Sequence, residues 1–456
     1  MPLMVSVSGI RGVVGESLTP EVVLRFSAAY AAWCRGRGAR AGDAVVLGRD
    51  GRPSGSMVRD LVAGTLRAAG LDVVDLGLCS TPGTAMAVPA RGAAGGVVIT
   101  ASHNPAPWNA LKFLDGEGNF LAKELGEEVL DIERRGAFVW EGHEALGAAL
   151  AWDGADAHHV DAILALPWVD AAAVAKRAPR VVVDAVNAAG SRVAPLLLER
   201  LGARPVLLHC DGDGRFPHVP EPRPENLRGL AEAVRAEGAD LGVALDPDAD
   251  RLVLVDETGT VLSEEYTVAL AADHVLARTP GPMAVNLSTS RLAEDVAARH
   301  GQPCHRSPVG EAHVVAAMRE HGAVVGGEGN GGVILPALHA GRDGLVGIAL
   351  VLTAMAAGGS RLSELAGGLP RYVMEKRRLD LSGRADPGRL RELAREHFAG
   401  ELDERDGVKA VLPEGWIHVR PSNTEAILRI IGESADAAWL ADALDATERF
   451  FAAHLG

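Results

Sequence analysis

Short runs of consecutive apolar residues, each stopping abruptly on a polar loop and followed by a helical pattern, recur along roughly the first 365 residues. Ala44-Val45-Val46-Leu47 stops on Gly48-Arg49-Asp50-Gly51, Arg180-Val181-Val182-Val183 on Asp184, and Met283-Ala284-Val285 on Asn286. Continuous apolar runs of this length fit strands covered on both faces, as in parallel sheets flanked by helices. Thr19-Pro20 opens the first intervening helix, a capping threonine before a proline whose missing N–H costs nothing there, and Val23, Phe26, Tyr30 and Trp33 follow at helical spacing. Parallel strands joined by crossovers gather ligands at their carboxyl ends, where these polar loops fall. The spacing of the openings hints at three related α/β units. After Gly367-Gly368-Leu369-Pro370 the pattern changes. Charged residues crowd Met374 to Glu396, two strands read Trp416 to Arg420 and Ala426 to Ile431, and a helix closes the chain from Ala435 to His454, the texture of a smaller α+β unit.

At 456 residues the chain is too long for one core. Its formal net charge of −15 argues against a nucleic-acid partner or an anionic membrane surface, while leaving room for a phosphorylated small molecule held by a few converging Arg and Lys. Cys34, Cys79, Cys210 and Cys304 form no CxxC pair, so reduced thiols in a cytoplasmic protein are expected rather than a disulfide framework or a structural zinc. The N-terminus lacks the pattern of a signal peptide, and no apolar run is long enough to span a membrane. Asn286-Leu287-Ser288 reads as an accidental sequon.

Four loops carry the chemistry. Asp246-Pro247-Asp248-Ala249-Asp250-Arg251 follows the apolar run Leu241 to Leu245. Its three carboxylates at alternate positions repel one another unless a hard cation lies among them, and magnesium suits such oxygens. A solvated acidic loop is the competing reading. An EF-hand fails because Arg251 occupies the turn position reserved for Gly and Leu252 to Val255 reads as a strand. Thr100-Ala101-Ser102-His103-Asn104-Pro105, after Gly96 to Ile99, offers a serine nucleophile or merely a turn; no GxSxG elbow surrounds it, which disfavours a hydrolase triad. Gly326-Gly327-Glu328-Gly329-Asn330-Gly331-Gly332 permits close backbone approach, with Glu328 and Asn330 suited to sugar hydroxyls. Arg420-Pro421-Ser422-Asn423-Thr424-Glu425, with Arg429 beyond it, is an anion cradle or a solvated turn.

These loops, in this order, resemble the α-D-phosphohexomutase superfamily of phosphoglucomutases, phosphomannomutases and phosphoglucosamine mutases. Ser8-Gly9-Ile10-Arg11-Gly12 and Gly48 to Ser54 look like its two early substrate-side motifs. The resemblance covers nearly the whole chain. It implies an α/β fold of four domains around a central cleft: 1–152 with the phosphoserine loop, 153–253 with the metal loop, 254–368 with the sugar-reading loop, and a mobile α+β domain at 369–456 with the phosphate clamp.

Carried over position by position, the resemblance implies that Ser102 is phosphorylated and joins Asp246, Asp248 and Asp250 around Mg²⁺. Arg11, Lys112 and Arg251 would lie near the reacting oxygens and His103 beside the nucleophile. Glu328 and Asn330 would read the sugar, and Arg420, Ser422, Asn423, Thr424 and Arg429 would hold the idle phosphate. A hexose 1,6-bisphosphate is then the intermediate and activator, and the partner is a sugar phosphate bound by a monomer or homodimer. Glucosamine phosphate is the first expectation for the sugar, with mannose or glucose phosphate next; a magnesium-dependent phosphatase and a non-catalytic binder are the readings from other classes.

Three departures from the family pattern stand out. Asn330 and Gly332 occupy positions where Ser and His are common, so a possible acid/base or substrate contact is missing. Ala110 replaces a usual Gly, and Ala426 a usual Pro. His313 and His339 read as ordinary surface or loop histidines, and Asp184 and Asn187 as capping or interdomain contacts.

Overall fold

The computed structural model describes residues 3–6, 9–381, 386–422 and 427–455. Ser8, Asn423, Thr424 and Ala426 therefore lie outside the described residues. Four sheets succeed one another along the chain. In the first, Gly95–Ile99, Ala44–Arg49, Asp72–Leu78 and Ala149–Ala151 run parallel, and Trp108–Leu114, Gly9–Val13 and Met4–Ser6 extend one edge antiparallel. The second sheet is Arg204–Leu208, Arg180–Asp184 and Leu241–Leu245 in parallel, with Leu252–Asp256 antiparallel at the edge. It thus reaches Asp256, beyond residue 253. The third has Cys304–Ser307, Met283–Asn286 and Val325–Glu328 parallel, followed by a meander through Gly332–Leu335 to His339–Arg342. The fourth is antiparallel throughout, Val373–Asp380, Ile427–Ser434, Gly415–Pro421, Val408–Val411 and Glu401–Asp403 in spatial order, backed by the Ala437–Leu455 helix.

Helix starts follow local chemistry. Thr19 accepts a hydrogen bond from the Val22 N–H ahead of Pro20, and Asp343 accepts from the Leu345 and Val346 N–H groups at 2.8 and 3.1 Å. The helix that Asp343 opens, Gly344–Gly358, is apolar around its whole circumference and therefore demands cover on every side. It finds that cover between the second and third sheets, whose side chains merge around Leu345, Val346, Leu350 and Leu352 into one core. The first and fourth sheets keep cores of their own. At the end of the shared helix His159 Nε2 lies 2.7 Å from Asp343 Oδ2, and His339 Nε2 lies 3.3 Å from the same oxygen. His339 is accordingly largely buried, not a surface histidine as its loop position predicts, while His313 is exposed.

The four cysteines are free, and burial pushes the thiols of Cys34, Cys79 and Cys304 up to about 12 and that of Cys210 to about 11. Among the described residues, no helix is long and apolar enough to cross a membrane.

Candidate active site

The carboxyl ends of the central strands converge on one cleft. A volume of about 550 Å³ is lined by His103 from the first sheet's loops, Arg251 from the second, Asn286, Glu328 and Asn330 from the third, and Arg378, Arg420 and Arg429 from the fourth. Asn286, the apparent sequon, is buried there and donates to Glu328 Oε1 at 2.8 Å, so it is a lining residue and no glycan site.

Ser102 follows the Gly95–Ile99 strand with φ 49°, a left-handed conformation that non-glycine residues adopt at a cost of order 1–3 kcal/mol and that surrounding contacts must hold. Those contacts are explicit. The Ser102 N–H donates to Thr100 Oγ1 at 2.9 Å, and Thr100 Oγ1 donates to Asp50 at 2.7 Å. Arg52, entirely buried, donates from Nε to Asp50 and from its two terminal nitrogens to the carbonyls of Ser102, Asn104, Pro105 and Trp108. The motif around Arg52 reads as substrate-side in sequence. In the fold its guanidinium is turned into the protein and clamps the loop from behind.

The Ser102 hydroxyl donates to Asp246 Oδ2 at 2.8 Å, which joins the nucleophile loop of the first unit to the acidic loop of the second. Asp246, Asp248 and Asp250 are fully buried, and their nearest carboxylate oxygens lie within 4.8 Å of one another. Lys112 Nζ and Thr81 Oγ1 each donate to Asp248 Oδ2 at 2.7 Å. Burial raises Asp248, but the Lys112 ammonium and these hydrogen bonds outweigh it and hold the carboxyl well below its usual range. Asp246 goes the other way, pushed well up by burial and then by its two acidic neighbours. Asp248 Oδ1 and Asp250 Oδ1 are buried without a hydrogen-bond partner. Three clustered carboxylates with partnerless oxygens fit a hard divalent cation and fit poorly with anything else.

Arg251 lies beside this cluster, its Nε 3.8 Å from Asp250 and 4.0 Å from Asp246. Arg11 donates to Asn104 Oδ1 at 2.6 Å, and burial lowers its pKa. His103 is held well below the ordinary histidine range by the Arg251 charge first, then by burial and Arg11, so its ring is neutral near pH 7. The side chain that orients the Ser102 hydroxyl is Asp246 rather than His103.

Glu328 ends the Val325–Glu328 strand and accepts from Asn286, the Gly310 N–H and Arg342 Nη1, so it stays ionised although burial opposes that. Asn330 Nδ2 lies 3.4 Å from Glu328 Oε2, and Asn330 Oδ1 accepts the Gly332 N–H. Arg342 is the hub of this side. Nη2 donates to Asp250 at 2.6 Å, Nη1 to Glu328 at 2.9 Å and Nε to Glu311 at 3.1 Å. Its room comes from Gly332: a Cβ there would fall 2.3 Å from Arg342 Cδ. The side chain missing at position 332 is what admits this arginine, which ties the sugar-side loop to the acidic loop.

In the fourth sheet, Arg429 pairs across the strands with Arg420 on one side and Arg378 on the other. Like charges facing across antiparallel strands destabilise a sheet. Arg420 Nη2 reaches Asp406 at 3.1 Å, while its buried Nε has no partner. The row is thus a surplus of positive charge facing the cleft, suited to an anion. Ser422 is placed by its N–H to the Ile427 carbonyl. Arg378 escapes a motif search because it is brought to the clamp by strand pairing, from a region that looks merely charge-rich.

A buried serine loop set against a cation-ready carboxylate cluster, across a cleft from an arginine row, defines a phosphoryl-transfer enzyme of the multidomain α/β class. The chain matches all four segments of the phosphoglucomutase/phosphomannomutase family: alpha/beta/alpha domains I, II and III over residues 3–139, 157–259 and 263–372, and the C-terminal domain over 374–449. It is 40% identical over 433 residues to a phosphoglucomutase/phosphomannomutase of Thermococcus kodakarensis, covering 93% of each chain. It is 37% identical to a probable phosphoglucosamine mutase of Methanopyrus kandleri, over 94% of this chain and 93% of that one. A solved phosphoglucomutase/phosphomannomutase family protein of Burkholderia thailandensis superposes with a TM-score of 0.85 at 30% identity, covering 99% of this chain and 98% of that one. The chain belongs to the α-D-phosphohexomutase superfamily and is a phosphohexomutase, with the four-domain architecture of that group.

Proposed function

We propose that the enzyme interconverts the 1- and 6-phosphates of a hexosamine, glucosamine phosphate first, through phosphorylated Ser102. The Ser102 hydroxyl donating to a buried three-carboxylate cluster carries this reading, because a phosphoryl group on that oxygen would lie beside carboxylates able to hold a charge-offsetting cation. Asp246, Asp248 and Asp250, with an oxygen of phospho-Ser102, would hold Mg²⁺; bound there, it offsets charge on the transferring phosphoryl group.

The chain's own residues do the rest. Arg52 and Asp50 hold the serine loop in its left-handed turn. Lys112, Arg11 and Arg251 surround the reacting oxygens with positive charge, and neutral His103 faces the cleft beside them. Glu328 and Asn330 accept and donate hydrogen bonds to sugar hydroxyls. Arg420, Arg429, Ser422 and the newly placed Arg378 hold the phosphate that is not reacting, with Asn423 and Thr424 assigned to the same clamp from sequence. One phosphoryl group passes from Ser102 to the sugar, the bound 1,6-bisphosphate turns over, and Ser102 takes back the other.

The amino sugar is favoured by the 37% identity to a probable phosphoglucosamine mutase. The 40% identity to a phosphoglucomutase/phosphomannomutase favours the neutral sugars as the second reading. ³¹P NMR with Mg²⁺, a trace of bisphosphate and each of glucosamine-, mannose- and glucose-1-phosphate tests both. Conversion fastest with glucosamine and without free phosphate supports the proposal; faster turnover of a neutral sugar moves the assignment to it. Steady release of inorganic phosphate alone would overturn the mutase mechanism.

A further inference from the structure

Behind the serine loop lies a second cluster that transfer does not use. Asp184 ends the Arg180–Asp184 strand, His209 follows the adjacent parallel strand Arg204–Leu208, and His218 lies further along the loop that begins there. Asp184 Oδ2 stands 3.1 Å from His209 Nδ1 and 3.0 Å from His218 Nε2, and one ligand atom from each residue lies within 4.8 Å of the others. The Asp184 side chain is 2% exposed and the two imidazoles 29% and 21%. The contacts lie within one unit, so of the two readings of Asp184, capping or interdomain, the local one fits its bond from the Val186 N–H.

The contacts of His218 narrow what can lie between its ring and Asp184. Its Nδ1 lies 2.9 Å from the Val219 carbonyl oxygen, which can only accept, so Nδ1 carries a proton. In a neutral ring, Nε2 then presents a lone pair toward a lone pair of Asp184 Oδ2. Two such atoms approach to 3.0 Å only with a positive centre between them, either a second proton or a metal ion. A ring whose Nδ1–H is held by a backbone carbonyl while Nε2 is turned toward another ligand atom has the usual bearing of a metal-ligating histidine. The carboxylate is held as well, since Asp184 Oδ1 accepts the Val186 N–H at 3.0 Å.

Ligand atoms around a tetrahedral zinc with bonds of about 2.0 Å stand about 3.3 Å apart. The two separations from Asp184 need open by only a few tenths of an ångström, and the two imidazole nitrogens lie within 4.8 Å of each other. We propose that Asp184, His209 and His218 form a site for a divalent transition metal, zinc by preference, separate from the all-oxygen site at Asp246 to Asp250. Two nitrogen ligands suit zinc and not magnesium, so the two sites do not compete for one ion.

The site's placement gives it a task. The loop between the two histidines packs against the first unit, where a Cβ on Gly214 would fall 1.9 Å from the Gly51 carbonyl oxygen. The same loop sets the Phe216 ring 4.9 Å from the Arg52 guanidinium, the group that holds the serine loop. Asn187 fastens the middle of the loop, accepting the Asp211 N–H and donating to the Arg215 carbonyl. A metal on His209 and His218 would secure the two ends of this support.

The test uses the full chain, stripped with chelator, returned to saturating Mg²⁺ and titrated with Zn²⁺ or, separately, Co²⁺. Metal content is read after gel filtration, alongside the visible spectrum of the cobalt form and the thermal midpoint. The expected result is one equivalent of zinc retained per chain in wild type and in Asp248→Asn, lost in the His209→Gln/His218→Gln double variant, with zinc raising the midpoint only where both histidines remain. Should the double variant not fold, His209→Gln alone is expected to weaken retention at least about tenfold. Equal retention by wild type and the histidine variants would overturn the proposal. So would no retention by wild type, and an imidazolium ¹⁵N signature for His218 would then identify the second proton as the positive centre.

Discussion

The two walls of the cleft hold their charges in opposite ways. On the Ser102 side the framework is buried and locked, leaving partnerless oxygens at Asp248 and Asp250: Arg52 reaches four carbonyls and Asp50, Lys112 meets Asp248, and Arg342 meets three carboxylates. On the fourth sheet, Arg378, Arg429 and Arg420 stand opposite one another across three strands, with Asp380 2.8 Å from Arg378 and Asp406 3.1 Å from Arg420 offsetting part of the repulsion. The difference teaches a division of labour. Chemistry needs groups whose position is set before the substrate arrives, so they are locked in a dry network. A clamp of the kind proposed for the idle phosphate needs charge left near the cleft, and here Asp380 and Asp406 offset the two outer arginines only from the side.

The sharpest way to break the comparison is at its rigid end. Ser102→Ala and Asp248→Asn should each lower kcat for 1-to-6 conversion on the order of 10³-fold or more. Turnover within tenfold of wild type in either variant would remove that residue from the mechanism. Arg342→Met should cost about 3–5 kcal/mol in urea unfolding and weaken Mg²⁺ binding, because Asp250, Glu328 and Glu311 lose their shared buried partner. An unchanged unfolding midpoint would mean that this network contributes little.

Glu265 lies where the walls meet, accepting the Ser290 N–H beside Gly329, and burial pushes its carboxyl up to about 8. Its folded pKa lies above the ordinary value of 4.5, so the folded state binds the extra proton and stability falls as pH rises from about 4.5 to 8. Glu265→Gln should therefore match wild type near pH 4.5 and exceed it near pH 8 by up to a few kcal/mol. Parallel stability curves for the two proteins across that range would show that Glu265 is ionised throughout.

The smallest effects belong to the clamp. Arg378→Ala and Arg420→Ala should each raise KM about tenfold with kcat little changed, the loss of one charged contact to phosphate. The free Arg378→Ala protein should be no less stable than wild type. A fall in kcat without a change in KM would place these arginines with the rigid wall instead.

Much of this was legible in the chain. Apolar runs stopping on Asp50, Ser102, Asp246, Asn286 and Glu328 are strands delivering side chains to one edge, and period and composition suffice to see it. Thr19 and Asp343 do their capping within three residues of themselves. What Arg342 and Arg378 touch was not legible, because their partners come from other loops and strands. Gly332 looked like the loss of a histidine, whereas in the fold it is the space that Arg342 occupies. Asp184, His209 and His218 are 34 residues apart at most and fit no ligand-spacing motif, yet parallel pairing of two strands sets the first two side by side.

By itself the sequence determined what depends on near neighbours: the order of strands and helices, the caps and the three alternate carboxylates. Tertiary structure alone decided which of those loops face one another, that Asp246 rather than His103 takes the serine hydroxyl, and that one apolar helix fuses the second and third units. The physical reason is range. Backbone propensity and hydrophobic period act over a few residues, while the fields that set charge states and the room for an arginine come from atoms brought together only by packing.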